Sequence, residues 1–154
     1  MSVEILSISR KPTGWVRLAI EDYLGRFPAH AGPKLTYIAP VPGKISTKQK
    51  LVREAKSVLA KVDEKDFLVV LDVVGINISN DSLARKLESF RLNETKVKII
   101  LGSSEGLDES VKQRASESWS ISNLILPHKI VQIVILEQFY RTYSSSVGHP
   151  YHRR

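Results

Sequence analysis

Apolar and polar positions alternate along this chain in a way that predicts strands and helices in turn. Residues 3–9 follow the two-residue period of a half-buried strand, whereas residues 67–71 and 97–101 are continuous apolar runs, typical of strands covered on both faces. Shorter strands are predicted at residues 35–39 and 119–122. Because strands alternate with helices, the pattern favours an α/β fold with a mainly parallel sheet flanked by helices.

Helices are predicted where apolar residues recur at a spacing of three or four positions. The clearest stripe consists of Leu51, Val52, Ala55, Val58 and Leu59. Further helices are predicted after Trp15, after Ser79, which is suited to cap a helix N-terminus, and after Asp108 for the same reason. A last helix is predicted from His128 to about Tyr143.

Two segments near the end of the chain are more apolar than their predicted structure requires. The last predicted helix is apolar almost all round, and a small domain covers a second apolar face most easily with a partner subunit. The loop at residues 123–127 contains Leu124, Ile125 and Leu126, although loops usually lie on the surface. We therefore expect a homodimer, and we expect this loop to be packed inside the protein or against a ligand.

Length and composition limit the class of protein. The chain has 154 residues, which is typical of one domain, so residues 1–154 are predicted to form a single domain. It has no cysteine, which excludes disulfides and thiolate metal sites, and its four histidines lack metal-binding spacing. No apolar run is long enough to cross a membrane, and the first residues lack the pattern of a signal peptide, so a cytoplasmic location is expected.

The charge of the chain points to the kind of partner. A net charge of +7, from 23 lysines and arginines against 16 acidic residues, favours nucleic acid, although a solvated basic surface is the alternative. Residues 148–154 combine aromatic, imidazole and guanidinium groups, which stack on bases and pair with phosphates; a frayed terminus is the alternative here. Arg141 lies on the apolar last helix, where its charge needs a partner.

The sharpest local motif is the turn Gly102-Ser103-Ser104-Glu105-Gly106, between a predicted strand and a predicted helix. The backbone N–H groups of such a turn can bind an anion or the polar edge of a cofactor. The turn also fits the nucleophile-elbow pattern of hydrolases, with Ser104 as the nucleophile, but no carboxylate and histidine follow it in a suitable order. A turn with a purely structural role is the third interpretation.

Several motifs occur in an order and spacing that together resemble one family. They are Gly102-x-x-Glu105-Gly106, Ser120-Ile121-Ser122, Leu126-Pro127-His128, residues 136–141, and the terminal His149-Pro150-Tyr151-His152. Upstream, Trp15, residues 22–26 and residues 71–75 also fit. The ordered set spans essentially the whole chain and resembles the RlmH-type ribosomal RNA large subunit methyltransferases of the SPOUT superfamily.

The resemblance implies a SPOUT-like α/β fold with a deep C-terminal trefoil knot, a homodimer and S-adenosyl-L-methionine as cofactor. It also implies methyl transfer to N3 of a pseudouridine in 23S ribosomal RNA of the assembled ribosome, with neither a metal nor a membrane involved. By the family's pattern, the cofactor site would consist of Leu71, Gly102, Ser103, Ser122, Asn123, Leu124, Ile125, Leu126 and Pro127. The positions expected to act in catalysis are Arg141, Tyr151 and His152.

The chain departs from the family's pattern at three positions. Ser103 stands where a second glycine is usual, Ile76 where a lysine is usual, and Gln132 where an arginine is usual. The first change adds a side chain near the expected cofactor, and the other two remove cations. The alternative function is therefore an RNA- or ribosome-binding protein that keeps the SPOUT fold with weakened catalysis.

Overall fold

A five-stranded parallel sheet organises residues 2–153, the part of the chain that the computed structural model describes. Its elements are β1 (Ser2–Ile8), α1 (Gly14–Gly25), β2 (Lys34–Ile38), α2 (Thr47–Leu59), β3 (Phe67–Asn77), α3 (Asn80–Leu92), β4 (Lys96–Leu101), α4 (Glu109–Arg114), β5 (Glu117–Ser120), α5 (His128–Ser146) and a 3-10 turn at Pro150–His152. The strand order is β2-β1-β4-β3-β5, and every neighbouring pair is parallel. The predicted α/β fold with a parallel sheet flanked by helices is therefore confirmed.

The two longest apolar runs of the sequence form the centre of this sheet. Along β3 and β4, successive side chains point to opposite faces, so that Val69 and Ile99 join one core cluster while Leu68 and Ile100 join the other. Helices α1, α3 and α5 cover the first face, and α2 and α4 cover the second. Both faces are thus buried, which explains why these strands lack polar alternation.

Strand β3 is longer and less regular than the sequence predicts. Leu71 and Ile76 both lie opposite Trp119 of β5, so residues 72–75 leave the ladder as a four-residue excursion at the carboxyl end of the strand. A Cβ atom on Gly75 would lie 2.7 Å from the backbone carbonyl of Ser118, and only glycine allows this close approach. Strand β5 begins at Glu117 and ends at Ser120, two residues earlier than predicted.

The last helix begins far from the strand that precedes it. Strand β5 is at one edge of the sheet, yet Gln132 of α5 donates a hydrogen bond to Ser7 of β1, with two strands between β1 and β5. The segment between β5 and α5 therefore crosses the carboxyl ends of the intervening strands. This crossing shapes the cleft described below.

The apolar circumference of α5 is only partly covered by its own subunit. Ile135, Leu136 and Phe139 are buried in the core against α1 and α3, whereas Ile130 and Val134 are half-buried. The three buried side chains face inward, so only the other apolar side chains of residues 130–139 are left for the expected subunit contact, which stays a prediction. No helix found in residues 2–153 is both long and apolar enough to cross a membrane. Arg154, which belongs to the predicted RNA-binding tail, lies outside the described residues.

Candidate functional site

A cleft of about 460 Å³ lies at the carboxyl ends of β3 and β4. Three segments enclose it: the start of the β3 excursion, the turn after β4, and the segment that leads into α5. It brings together six of the nine predicted cofactor positions, namely Leu71, Gly102, Ser103, Ile125, Leu126 and Pro127. The carboxyl edge of a parallel sheet is where α/β proteins usually bind small ligands.

Two more predicted positions line a smaller adjoining cavity. Ser122 and Leu124 enclose a space of about 80 Å³ that shares Leu71 and Leu126 with the main cleft. Asn123 lines neither space and is exposed. The structure thus gathers eight of the nine positions around one edge of the sheet, while their role in binding a cofactor stays a prediction.

The turn after β4 has a fixed shape. The Gly106 N–H donates to the Ser103 carbonyl at 2.9 Å, and Gly106 has a φ of +99°, which favours glycine. A Cβ atom on Gly102 would lie 2.7 Å from the Gly106 carbonyl oxygen and 2.8 Å from Leu107. The closure of the turn itself therefore excludes a side chain at Gly102.

The turn is tied to the second layer of helices. Glu105 accepts a hydrogen bond from the Thr47 hydroxyl at 3.3 Å, and the Lys50 ammonium lies 3.9 Å from the same carboxylate. Thr47 begins α2, whose N-terminus is closed by a capping box between Ser46 and Gln49. The acidic residue of the motif therefore holds one wall of the cleft against α2.

A polar network lies beneath the opposite wall. Gln132 is 2% exposed, and its Nε2 atom lies 2.9 Å from Ser7 Oγ, 3.2 Å from Ser9 Oγ and 3.1 Å from His128 Nδ1. Burial lowers the pKa of His128. Position 132 is therefore an internal position in this chain.

The same contacts argue against the hydrolase interpretation. Ser104 lies in the cleft, but His128 directs its ring nitrogens toward Ser7 and Gln132. A nucleophile elbow needs a histidine that faces the serine hydroxyl.

We expected the apolar loop before α5 to pack either inside the protein or against a ligand. The rest of the chain does not bury it. The exposed fraction is 72% for Leu124 and 87% for Ile125, and Leu126 is half-buried at the cleft. Val74, in the β3 excursion, is 83% exposed, and Ile76, which follows the excursion, is also exposed. Within one subunit the loop forms an apolar rim of the cleft, which leaves a ligand or a partner subunit to cover it.

The predicted catalytic residues lie away from this cleft in the same subunit. Arg141 follows the cleft residue Val131 by ten positions on α5, a rise of about 15 Å. Its guanidinium bonds Glu137 at 2.7 Å and stacks on Tyr151, 5.3 Å from the ring centre. His152 contacts the His149 carbonyl through its ring Nδ1.

Tyr151 is docked onto its own subunit by several contacts. Its hydroxyl donates to Glu137 at 3.2 Å and lies 3.3 Å from the Tyr23 hydroxyl, and its ring meets Tyr140 edge-on at 4.9 Å. Burial, together with hydrogen bonding to Tyr23, raises the pKa of Tyr151, so the phenol stays protonated. The tail is therefore not frayed up to this residue, and Tyr151 contributes contacts to its own chain, while its predicted role at the RNA stays a prediction.

Two charged side chains at the cleft were not predicted from the sequence. Asp72 and Lys112 both line it, and the Lys112 ammonium lies 2.8 Å from Asp72 Oδ2. The signal that could have found them was position: Asp72 directly follows the apolar run of β3, and Lys112 lies on the helix after the Gly102–Gly106 turn. No cluster of three or more potential metal ligands occurs among the residues that the structure describes.

A parallel α/β sheet with a ligand-sized cleft at its carboxyl edge defines a class of ligand-binding α/β proteins that includes many transferases. Comparison with known families narrows this class. A family model described as "Predicted SPOUT methyltransferase" matches residues 1–152. The chain therefore belongs to the SPOUT methyltransferase family, and the resemblance drawn from the motifs is confirmed.

Curated relatives agree with this assignment over nearly their full length. The chain is 37% identical to the "Ribosomal RNA large subunit methyltransferase H" of Francisella philomiragia subsp. philomiragia, with 99% of this chain and 100% of the relative covered. Proteins of the same name from Dichelobacter nodosus and Hahella chejuensis are 36% and 33% identical, each with 99% of both chains covered.

Proposed function

We propose that this protein is an S-adenosylmethionine-dependent methyltransferase that modifies N3 of a pseudouridine in 23S ribosomal RNA of the assembled ribosome. The observation that carries the proposal is the cleft at the carboxyl ends of β3 and β4, which gathers most of the predicted cofactor positions in a member of a methyltransferase family. The names of the relatives support ribosomal RNA as the substrate.

The cleft fits the proposed cofactor in size and chemistry. Its volume of about 460 Å³ lies within the usual range for small-ligand pockets, roughly 300–1,000 Å³. Apolar side chains such as Leu71 and Leu126 provide surfaces for an adenine ring, and the Gly102–Gly106 turn provides backbone polar groups. When bound, S-adenosylmethionine supplies a methyl group activated by a sulfonium.

The chain's own contribution to the reaction is to hold RNA and to favour loss of the N3 proton. An imide nitrogen is protonated at neutral pH, and a nearby cation stabilises the anion that forms. Arg141 is the cation that we assign to this task, with the neighbouring Tyr151 and His152 at the RNA. Glu137 holds the Arg141 guanidinium in place, and the Tyr151 ring stacks on it.

The proposal includes a homodimer in which the tail of one subunit reaches the cleft of its partner. Two observations support it: Arg141, with Tyr151 beside it, lies far along α5 from its own cleft, and the apolar rim at Leu124 and Ile125 is uncovered in one subunit. A partner subunit seated on the rim would exclude water from the cleft and would bring its Arg141 to it.

The proposal also includes a single knotted domain over residues 1–154. The support is the path of the chain after β5, which lines the same cleft as the β3 excursion and the Gly102–Gly106 turn before α5 packs against α1. A ribosomal substrate would place the protein in the cytoplasm.

The alternative, an RNA- or ribosome-binding protein with weakened catalysis, rests on the three departures from the family's pattern. The structure encloses two of them in polar settings. The Ser103 hydroxyl lies 3.4 Å from the Glu105 N–H and 3.5 Å from the Gly106 carbonyl, within its own turn. Gln132 is held through its Nε2 atom by the network beneath the cleft, while its buried Oε1 atom has no partner among the described residues. We therefore favour the active enzyme.

Mass spectrometry of ribosomal RNA tests the proposed function. We expect a methylated pseudouridine in 23S RNA to disappear in a deletion strain and to return on complementation with this chain. Complementation with an Arg141→Gln variant should restore little methylation, although the variant should bind S-adenosylmethionine normally in calorimetry. Absence of cofactor binding by the unchanged chain would favour the binding-protein alternative.

A further inference from the structure

The charged side chains of the cleft are concentrated at one place. Among the described residues that line it, Asp72 and Lys112 are the acidic and basic ones, and the others are apolar side chains, glycines, serines and His128. The pair joins two separate elements, because Asp72 begins the β3 excursion and Lys112 lies on α4. One end of the cleft is therefore dipolar, with a positive and a negative group side by side.

Both groups keep bonding capacity toward the cleft. The Lys112 side chain is 38% exposed, and only one of its three N–H donors is needed for the 2.8 Å contact with Asp72. The Asp72 carboxylate is 16% exposed and is oriented by the Val74 N–H, which donates to Oδ1 at 3.3 Å. A carboxylate can accept about four hydrogen bonds, so a ligand can join both groups without breaking their pair.

We propose that Asp72 and Lys112 bind the α-amino-acid end of the cofactor, with Lys112 on its carboxylate and Asp72 on its ammonium group. This inference rests on the proposed function. The amino-acid end carries the two opposite charges on one carbon atom, which matches two opposite charges held in contact. Charge-assisted hydrogen bonds of this kind are the stronger ones in proteins.

The ionisation of the pair supports this assignment. The hydrogen bond from Lys112 holds the pKa of Asp72 below its usual value, and the hydrogen bond to Asp72 raises the pKa of Lys112. Both side chains are therefore charged across the neutral range, and the dipolar end of the cleft exists before the ligand arrives.

The competing interpretation is that the pair merely ties α4 to β3. Calorimetry with two ligands separates the interpretations: S-adenosylhomocysteine carries the amino-acid end, and 5′-methylthioadenosine lacks it. For Lys112→Gln and Asp72→Asn we expect the affinity for S-adenosylhomocysteine to fall about tenfold or more, as removal of one charge-assisted hydrogen bond predicts. The affinity for 5′-methylthioadenosine should change less than about twofold, because adenosine contacts stay intact.

Two further variants complete the test. Lys98→Gln breaks a partly buried ion pair with Glu4 toward the amino-terminal end of the sheet, and it should leave the affinities for both ligands unchanged. The exchanged pair Asp72→Lys with Lys112→Asp restores the tie between α4 and β3 but reverses the dipole. It should recover thermal stability without recovering affinity for S-adenosylhomocysteine.

The outcomes distinguish this inference from the proposed function. Equal loss of affinity for both ligands in the single variants, or no loss for either, would overturn the assignment of the pair while cofactor binding stands. Full recovery of S-adenosylhomocysteine affinity in the exchanged pair would do the same. If the unchanged chain binds neither ligand, the proposed function itself is wrong.

Discussion

Two truncations of the C-terminus separate the part of the tail that is docked from the part that is free to contact RNA. Removal of residues 153–154 takes away two arginines, of which Arg153 is exposed. Removal of residues 149–154 also takes away Tyr151, which is held against α1 and α5. We expect the shorter deletion to affect RNA binding alone and the longer one to lower stability as well.

The expected loss of stability follows from the contacts of Tyr151. Its hydroxyl hydrogen bond to Glu137 contributes about 1 kcal/mol net, and its edge contact with Tyr140 contributes about 0.5–1.5 kcal/mol. The guanidinium groups of Arg26 and Arg141, 5.6 and 5.3 Å from the ring centre, contribute about 0.5–1 kcal/mol each. The entropy of the released tail offsets part of this sum, which leaves about 2 kcal/mol, or about 4–8 °C in Tm for a chain of this size.

The expected effect on RNA binding has a different signature. Removing one arginine–phosphate interaction lowers the magnitude of the slope of log K against log salt by about 0.7–0.9, so removing both arginines lowers it by up to about 1.4–1.8. Thermal unfolding and ribosome binding at several salt concentrations measure the two effects, with S-adenosylmethionine affinity as the control. An unchanged salt slope in the shorter deletion would show that residues 153–154 do not contact RNA. An unchanged Tm in the longer deletion would refute the docking of Tyr151.

Three further predictions concern the subunit contact, the cleft and the sheet. Val134→Asp should yield monomers in light scattering, because a half-buried apolar position at a subunit contact cannot accept an unpaired charge. A stable dimer of this variant would refute the subunit contact over α5. Leu126→Ala should weaken binding of 5′-methylthioadenosine by about tenfold in calorimetry, because the substitution removes about 1–2 kcal/mol of apolar burial. An unchanged affinity would show that the adenosine binds elsewhere. Burial raises the pKa of Glu4, but hydrogen bonds from Lys98, Thr36 and Lys34 outweigh it and lower that pKa to about 2. Because the pKa of Glu4 is lower in the folded state than in the unfolded state, the stability that this carboxylate contributes is present above about pH 5 and is lost as the pH falls toward 2. Glu4→Gln should therefore flatten the decline of stability with falling pH in acid unfolding curves.

The parts of the fold that depend on neighbouring residues could be predicted from the sequence. Ser79 caps α3 by accepting a hydrogen bond from the Ser82 N–H at 3.1 Å, and Asp108 caps α4 through Ser110 at 3.0 Å. Burial on both faces follows from the continuous apolar runs. The β3 excursion could not be predicted in this way, because its shape depends on the approach of Gly75 to the distant strand β5.

For the same reason, contacts between residues far apart in the chain could not be predicted from the sequence. The pair of Asp72 with Lys112 joins positions forty residues apart, and Tyr151 meets Tyr23 across 128 positions. Each side chain alone looks like an ordinary surface residue. The strand order brings the end of β3 beside the turn that leads to α4, and this brings Asp72 and Lys112 together in one site.

Two features of the subunit have a common explanation under the proposed function. The apolar loop at Leu124 and Ile125 is uncovered, and the tail carrying Tyr151 lies away from the cleft that it is proposed to serve. The apolar residues of the sequence indicate that a surface is shielded from water. They do not indicate which molecule covers that surface. A second subunit over the rim would bury the loop and bring a tail to the cleft in one step. A substitution at the subunit contact, such as Val134→Asp, should therefore lower both cofactor affinity and RNA methylation, although Val134 lines neither the cleft nor the tail.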